Sequence, residues 1–142
     1  MRTPQLSALV FAMLTFGAVA AEPQKLWEGS GFKQPESVVF DRAAGAIYVS
    51  NVNGDPMKKD GNGFISKLGP DGKVVTMEWV KGLDGPTGLA LANGKLYAAD
   101  VDQIAEIDIA KGEIIKRYEA PGSKFLNDLA SDKTGRVYAS DM

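Results

Sequence analysis

Cysteine and histidine are both missing from this chain of 142 residues. Without cysteine there are no disulfides, no thiolate metal sites, no cysteine nucleophile and no lipoprotein anchor. Without histidine there is no Ser-His-Asp triad, no zincin-type helix and no imidazole base. Any chemistry must therefore run on carboxylates, amides, hydroxyls, Lys, Arg or a cation held through oxygen. A basic stripe is lacking too: 16 basic and 18 acidic residues give a formal net charge of −2. The charges read as a solvated surface, which argues against a nucleic-acid partner. The length suffices for one domain with a sizeable core.

The apolar run Ser7–Ala20 (SALVFAMLTFGAVA) carries no charge and follows Arg2. It is shorter than the roughly 20 residues that a membrane-spanning helix needs. Ala18-Val19-Ala20 supplies the small-x-small pattern that signal peptidase reads, so residues 1–20 read as a signal peptide cleaved after Ala20 or Ala21. An uncleaved anchor is the alternative. The expectation is export to the periplasm or beyond, with no membrane contact after cleavage; a cysteine-free exported chain suits a bacterial periplasm.

What the rest of the chain does contain is a repeat. Gln34–Val52 (QPESVVFDRAAGAIYVSNV) recurs in degenerate form at Gly85–Val101 and Phe125–Met142. Each copy is an apolar run, a turn rich in Gly, Asp, Asn or Lys, and a second run centred on tyrosine. Tyr48, Tyr97 and Tyr138 stand 49 and 41 residues apart. A period in the forties with paired strands per unit predicts an all-β fold, a β-propeller of four-stranded antiparallel blades.

In chain order, Lys25–Glu28 reads as a short strand broken by Gly29-Ser30-Gly31. Strands are expected at 36–41, 46–51, 64–68 and 74–80, the last two joined by the tight turn Gly69-Pro70-Asp71-Gly72. A second unit follows at 87–92, 95–100, 104–109 and 114–120. Asn93-Gly94 marks its first hairpin, because both residues tolerate positive φ. A third unit has two strands, 127–131 and 136–140. The blades thus span about 34–82, 85–121 and, in part, 125–142. Propellers typically carry four to eight blades, so two and a half predict an N-terminal piece of a larger ring. The unpaired edge at Arg136–Met142 predicts association or aggregation.

Aligning the units places Glu36, Thr87 and Asn127 in one column and Asn51, Asp100 and Asp141 in another. The first column opens each innermost strand, and innermost strands of a propeller line its channel. Glu and Asn there are oxygen donors suited to a hard cation such as Ca²⁺, which takes six to eight oxygens. The bland reading makes them polar strand starts bonded to local backbone. Asn51, Asn53, Asp55, Asp60 and Asn62 present the letters of a second cation loop. Pro56 stands where an EF-hand loop needs Gly, and the terminal Glu is absent, so the segment reads as a flexible loop near the channel mouth.

Pro35-Glu36-Ser37-Val38-Val39-Phe40-Asp41 with Ile47-Tyr48-Val49-Ser50, and Phe125-Leu126-Asn127-Asp128 with Gly135-Arg136-Val137-Tyr138, resemble the gluconolactonase / senescence marker protein family. The resemblance covers most of Gln34–Met142 and implies a six-bladed propeller, here its first three blades. It implies a divalent cation, Ca²⁺ by preference, held by Glu36 and Asn127, with further ligands from later blades. It also implies substrate contacts from Asn127 and Asp128, to which the alignment adds Thr87. The chain departs from the family at Pro35-Glu36-Ser37, where lactonases often carry Gly-Glu-Gly-Pro, and at Phe125, where they carry Arg. The functional expectation is an exported, metal-dependent hydrolase of the lactonase or esterase type, acting on a small lactone or ester and inactive as this piece alone. No catalytic residue is assignable. The alternative is a non-catalytic propeller that binds a small ligand or a protein partner.

Overall fold

A computed structural model describes residues 22–142; the signal-peptide expectation lies outside the described residues. The described residues form ten strands and no helix. The first sheet comprises β1 (Pro35–Asp41), β2 (Ala46–Asn51), β3 (Gly63–Leu68) and β4 (Val74–Leu83). The second comprises β5 (Pro86–Ala92), β6 (Lys95–Asp100), β7 (Gln103–Asp108) and β8 (Glu113–Glu119), and β9 (Leu126–Ser131) and β10 (Val137–Asp141) form the third. Each sheet is an antiparallel meander in chain order, and the three remain separate sheets of four, four and two strands.

Local chemistry explains the hairpins. Asn93 and Gly94 adopt φ of 50° and 70°, the left-handed pair that a two-residue hairpin turn requires. In the other first hairpins an aspartate folds the turn onto itself. Asp41 Oδ1 accepts the Ala43 and Ala44 N–H groups, and Asp132 Oδ1 accepts those of Thr134 and Arg136.

The core lies between the first two sheets. Tyr48, Ile65, Val80 and Leu83 from the first pack against Leu89, Leu96, Ala98, Ala105 and Ile107 from the second. Tyr48 stacks on Trp79, with ring centroids 4.7 Å apart. Alternation sends every second residue into this layer. The residues between them reach the opposite face of the first sheet, where Ile47, Val49 and Leu68 are covered by Phe32.

The strand expected at Lys25–Glu28 does not form; residues 22–34 include no strand. The segment crosses the outer face of the first sheet instead. There the Trp27 ring lies against Gly72, at the place a Cβ would occupy. At φ +78° Gly72 also closes the β3–β4 turn, its N–H donating to the Gly69 carbonyl at 3.0 Å.

The three first strands lie side by side, β5 touching both β1 and β9. Gly88 makes the closer approach possible. A Cβ there would stand 2.5 Å from the Leu129 nitrogen and 2.7 Å from the Asn127 oxygen, both backbone atoms that cannot swing away.

Candidate functional site

All three first strands are bulged at the same point. Pro35 pairs with Asn51, Pro86 with Asp100 and Leu126 with Asp141, and in each sheet the register then slips before pairing resumes at Val38, Leu89 and Leu129. The residues inside the slips are Glu36-Ser37, Thr87-Gly88 and Asn127-Asp128. A bulge re-aims the side chains it carries and is common beside binding sites. The column Glu36, Thr87 and Asn127 is thus a row of bulge residues on three adjacent strands.

The three side chains differ in what they are free to do. Glu36 is exposed. Thr87 is buried at 2% exposure, and its hydroxyl donates to the Leu126 carbonyl at 2.9 Å, joining the second sheet to the third. Asn127 is half-buried, with its amide nitrogen 3.6 Å from the Met142 sulfur. Asp128 is exposed, and its backbone N–H donates to the Ser140 hydroxyl at 3.0 Å. The row therefore offers one carboxylate and one amide on the two outer strands, with a committed threonine between them.

The second column has a structural duty. Asp100 Oδ1 accepts the N–H groups of Asp84 and Gly85 at 2.8 and 2.9 Å. Asp141 Oδ1 accepts those of Lys124 and Phe125 at 2.9 and 2.8 Å, and Asn51 Oδ1 accepts that of Lys33 at 2.9 Å. Each therefore clamps the loop that enters the first strand of its own sheet, and so fixes where the bulge falls. Asn51 and Asp100 are fully taken up in this duty, while the exposed Asp141 commits its Oδ1; the recurrence of Asn or Asp at the end of every second strand was the sequence signal for the clamp.

Asp100 is the extreme case. It is wholly buried, and its Oδ2 meets Arg117 Nη1 at 3.1 Å. Burial pushes its carboxyl above the usual carboxylate range, opposed by the two backbone N–H bonds and the Arg117 charge. Asp141 is held below that range by the Phe125 and Lys124 N–H bonds. A raised carboxyl in a cleft marks a candidate acid or base; Asp100 lies in no cleft and has both oxygens engaged.

The loop between β2 and β3 also satisfies itself. Asp55 Oδ1 accepts the Met57 N–H, Asp60 Oδ1 accepts that of Asn62, and Asp84 Oδ1 accepts that of Gly61. Lys58 pairs with Asp60 at 3.2 Å and Lys59 with Asp102 at 2.6 Å. Its carboxylates point into their own backbone and toward lysines.

Among the described residues no three Asp, Glu, His or Cys side chains stand together in a way that could hold a metal. Glu36 and Asn127 supply two oxygen donors where Ca²⁺ takes six to eight, so the residues present do not by themselves fit a Ca²⁺ centre. Two clefts lie elsewhere on the surface of the described residues. One, of about 470 Å³, lies at the hairpin ends between Asp41 and Lys95, where Asp41 is taken up by its turn and Lys95 pairs with Asp108. The other, of about 290 Å³, lies between Tyr97, Ile104, Tyr118 and Val137. Neither touches the bulge row. Neither a known protein family nor a curated protein matches the chain.

Proposed function

We propose that the three sheets are successive blades of a β-propeller of the gluconolactonase type, and that the bulge row faces the mouth of its channel. The observation that carries this reading is the shared bulge: three first strands, side by side, each break register at one position and there present Glu36, Thr87 and Asn127. A scaffold that repeats its packing while varying one position per blade is how a single site is grafted onto a repeated fold. The substrate class proposed is a small lactone or ester, and the cofactor a divalent cation, Ca²⁺ by preference.

Within that reading Glu36 is the cation ligand, being charged and exposed, and Asn127 and Asp128 orient the bound molecule. Thr87 acts from behind the row: its bond to the Leu126 carbonyl holds β9 against β5 and so sets the spacing between the outer two residues. A closed ring brings further first strands to the same mouth, and these would supply the remaining oxygens. Two donors alone license no chemical step, and none is drawn.

A non-catalytic binding propeller is favoured by one observation. The one deeply buried carboxylate, Asp100, is spent on the scaffold, and the row's own carboxylates, Glu36 and Asp128, stand exposed with no side-chain partner among the described residues to orient them as a base.

Calorimetric titration with CaCl₂ of the full-length, ring-closed protein, comparing wild type with Glu36→Gln and Asn127→Leu, tests the ligand assignment. Weakened binding in both variants supports it. Affinity unchanged by Glu36→Gln removes Glu36 from the site, and hydrolysis of a panel of lactones and aryl esters separates the enzyme from the binding module.

A further inference from the structure

The sequence carries three Asn-Gly pairs, Asn53-Gly54, Asn62-Gly63 and Asn93-Gly94. This dipeptide can modify itself. The glycine nitrogen attacks the carbonyl carbon of the Asn side chain, the amide nitrogen leaves as ammonia, and a five-membered succinimide closes. Water then opens the ring at either carbonyl. One opening gives aspartate; the other gives isoaspartate, in which the main chain runs through the former side chain. Glycine favours the attack because it has no Cβ to block the approach of its nitrogen. In an unfolded chain the three pairs are chemically alike, so any difference between them comes from the fold.

Two of the pairs are held shut. The Gly54 N–H donates to Gln34 Oε1 at 2.6 Å, and Asn53 Nδ2 donates to the Asn62 carbonyl at 2.9 Å, so nucleophile and leaving group are both engaged. Gly63 opens β3, is buried, and pairs with Leu83. A Cβ on Gly63 would fall against Pro86 and stand 3.0 Å from the Leu83 and Asp84 carbonyl oxygens, so the Asn62-Gly63 peptide has no room to turn. Asn93-Gly94 differs on every count. It is the two-residue tip of the β5–β6 hairpin, and both residues are exposed. Nothing stands within 4 Å of the place a Cβ on Gly94 would take. Among the described residues no acceptor takes the Gly94 N–H. The Asn93 amide makes one bond at the surface, Nδ2 donating to the Gly135 carbonyl at 3.2 Å.

We infer that Asn93 is a site of spontaneous deamidation in the folded protein, and that the fold protects Asn53 and Asn62. The Gly94 nitrogen reaches Asn93 Cγ once a single exposed hydrogen bond opens, a local event far cheaper than unfolding. The product acts on the neighbouring sheet. The Asn93 side chain lies where a Cβ on Gly135 would stand, and its amide bonds the β5–β6 turn to the β9–β10 turn. A carboxylate in its place has no proton to donate and faces the Gly135 carbonyl oxygen, so aspartate loosens the contact between the two turns. Isoaspartate also lengthens the main chain of the turn by one methylene, against a register fixed at Ala92 and Lys95. The inference uses the turns alone, and is independent of whether the bulge row binds a ligand.

Peptide mapping by mass spectrometry tests it, on the full-length protein incubated at mildly alkaline pH with and without guanidinium chloride. In denaturant all three pairs should convert at similar rates, which fixes their intrinsic reactivity. Without it, Asn93 should convert at least about tenfold faster than Asn53 and Asn62, the ratio that an extra opening cost of about 1.4 kcal/mol at the protected pairs imposes. Backbone fragmentation tells aspartate from isoaspartate at position 93. Asn93→Asp carries the aspartate product from the start and should speed hydrogen exchange at the Gly135 amide; exchange unchanged from wild type refutes the effect assigned to the product. An Asn93 that stays intact in the folded protein while it converts in denaturant overturns the inference. So does conversion of Asn53 or Asn62 in the folded protein at the Asn93 rate.

Discussion

Substitution of Asp100 separates hydrogen bonding from charge at the best-connected polar group of the fold. In Asp100→Ala the N–H groups of Asp84 and Gly85 lose their acceptor, and Arg117 loses the carboxylate 3.1 Å from its guanidinium. A hydrogen bond to a charged group contributes about 1.5–3 kcal/mol, while the ion pair adds about 1 kcal/mol or less, since Arg117 is partly solvated and keeps its bond to the Gly82 carbonyl. The two losses overlap, since one carboxylate serves both, so the expected cost is about 4 kcal/mol. Against a total stability of about 5–15 kcal/mol this is large. Asp100→Asn keeps an oxygen for both N–H groups and loses the charge together with the Oδ2 acceptor that Arg117 and Gln103 use. Burial already disfavours that charge, so the expected cost is about 1 kcal/mol.

The two variants are read by urea denaturation at neutral pH. With a slope of about 2 kcal/mol/M, Asp100→Ala should lower the midpoint by about 2 M and Asp100→Asn by about 0.5 M. The pH dependence gives a second readout. A carboxyl raised above its ordinary value of 3.8 keeps its proton longer in the native state than in the unfolded one. Stability from this group therefore falls as pH rises from the ordinary value through the raised one, and is level beyond. That slope should vanish in Asp100→Asn. If the two variants are equally unstable, the Arg117 charge and not the clamp holds this site. If Asp100→Ala costs under about 1 kcal/mol, the clamp does not organise the loop at all.

Gly88→Ala should cost about 1–3 kcal/mol, because its new Cβ meets backbone of β9 that can yield only by separating two sheets. Cross-peaks between β5 and β9 in a nuclear Overhauser spectrum should weaken, while those between β5 and β6 persist; unchanged β5–β9 contacts would contradict the close approach. Asp132 is held down to about 2, chiefly by the Thr134 hydroxyl, with the Arg136 N–H, the Tyr138 hydroxyl and the Thr134 N–H. A depressed carboxyl stabilises above its ordinary value of 3.8 and stops doing so as pH falls through about 2. The β9–β10 hairpin should therefore loosen between pH 4 and about 2, followed by amide shifts of Thr134 and Arg136; a midpoint near 4 would show that Asp132 is not bonded as described.

Much of the scaffold was legible because its signals are local. All ten strands of the three repeated units lie within a few residues of where alternation and turn residues place them. Asn93-Gly94 adopts the positive φ pair that its composition implies. Lys25–Glu28 misled because β propensity describes a segment, whereas a strand also needs an edge to pair with. Trp27 instead found the surface of the Gly72 turn.

The site was legible only as a column of letters. Glu36, Thr87 and Asn127 align as strand starts, yet nothing in the alignment tells an exposed Glu36 from a Thr87 whose hydroxyl is spent on a carbonyl 39 residues away. The bulges were equally hidden, since a register slip depends on how a strand meets its neighbour.

By itself, then, the sequence determined the strands, their hairpins, the repeat, and which chemistry is barred by the absence of cysteine and histidine. These follow from backbone preferences and side-chain types, which each segment carries with it. Only the tertiary structure decided that the second column is a set of clamps and that Thr87 joins the second sheet to the third. Those roles are set by contacts between sheets, and a side chain acquires them only when the next sheet arrives.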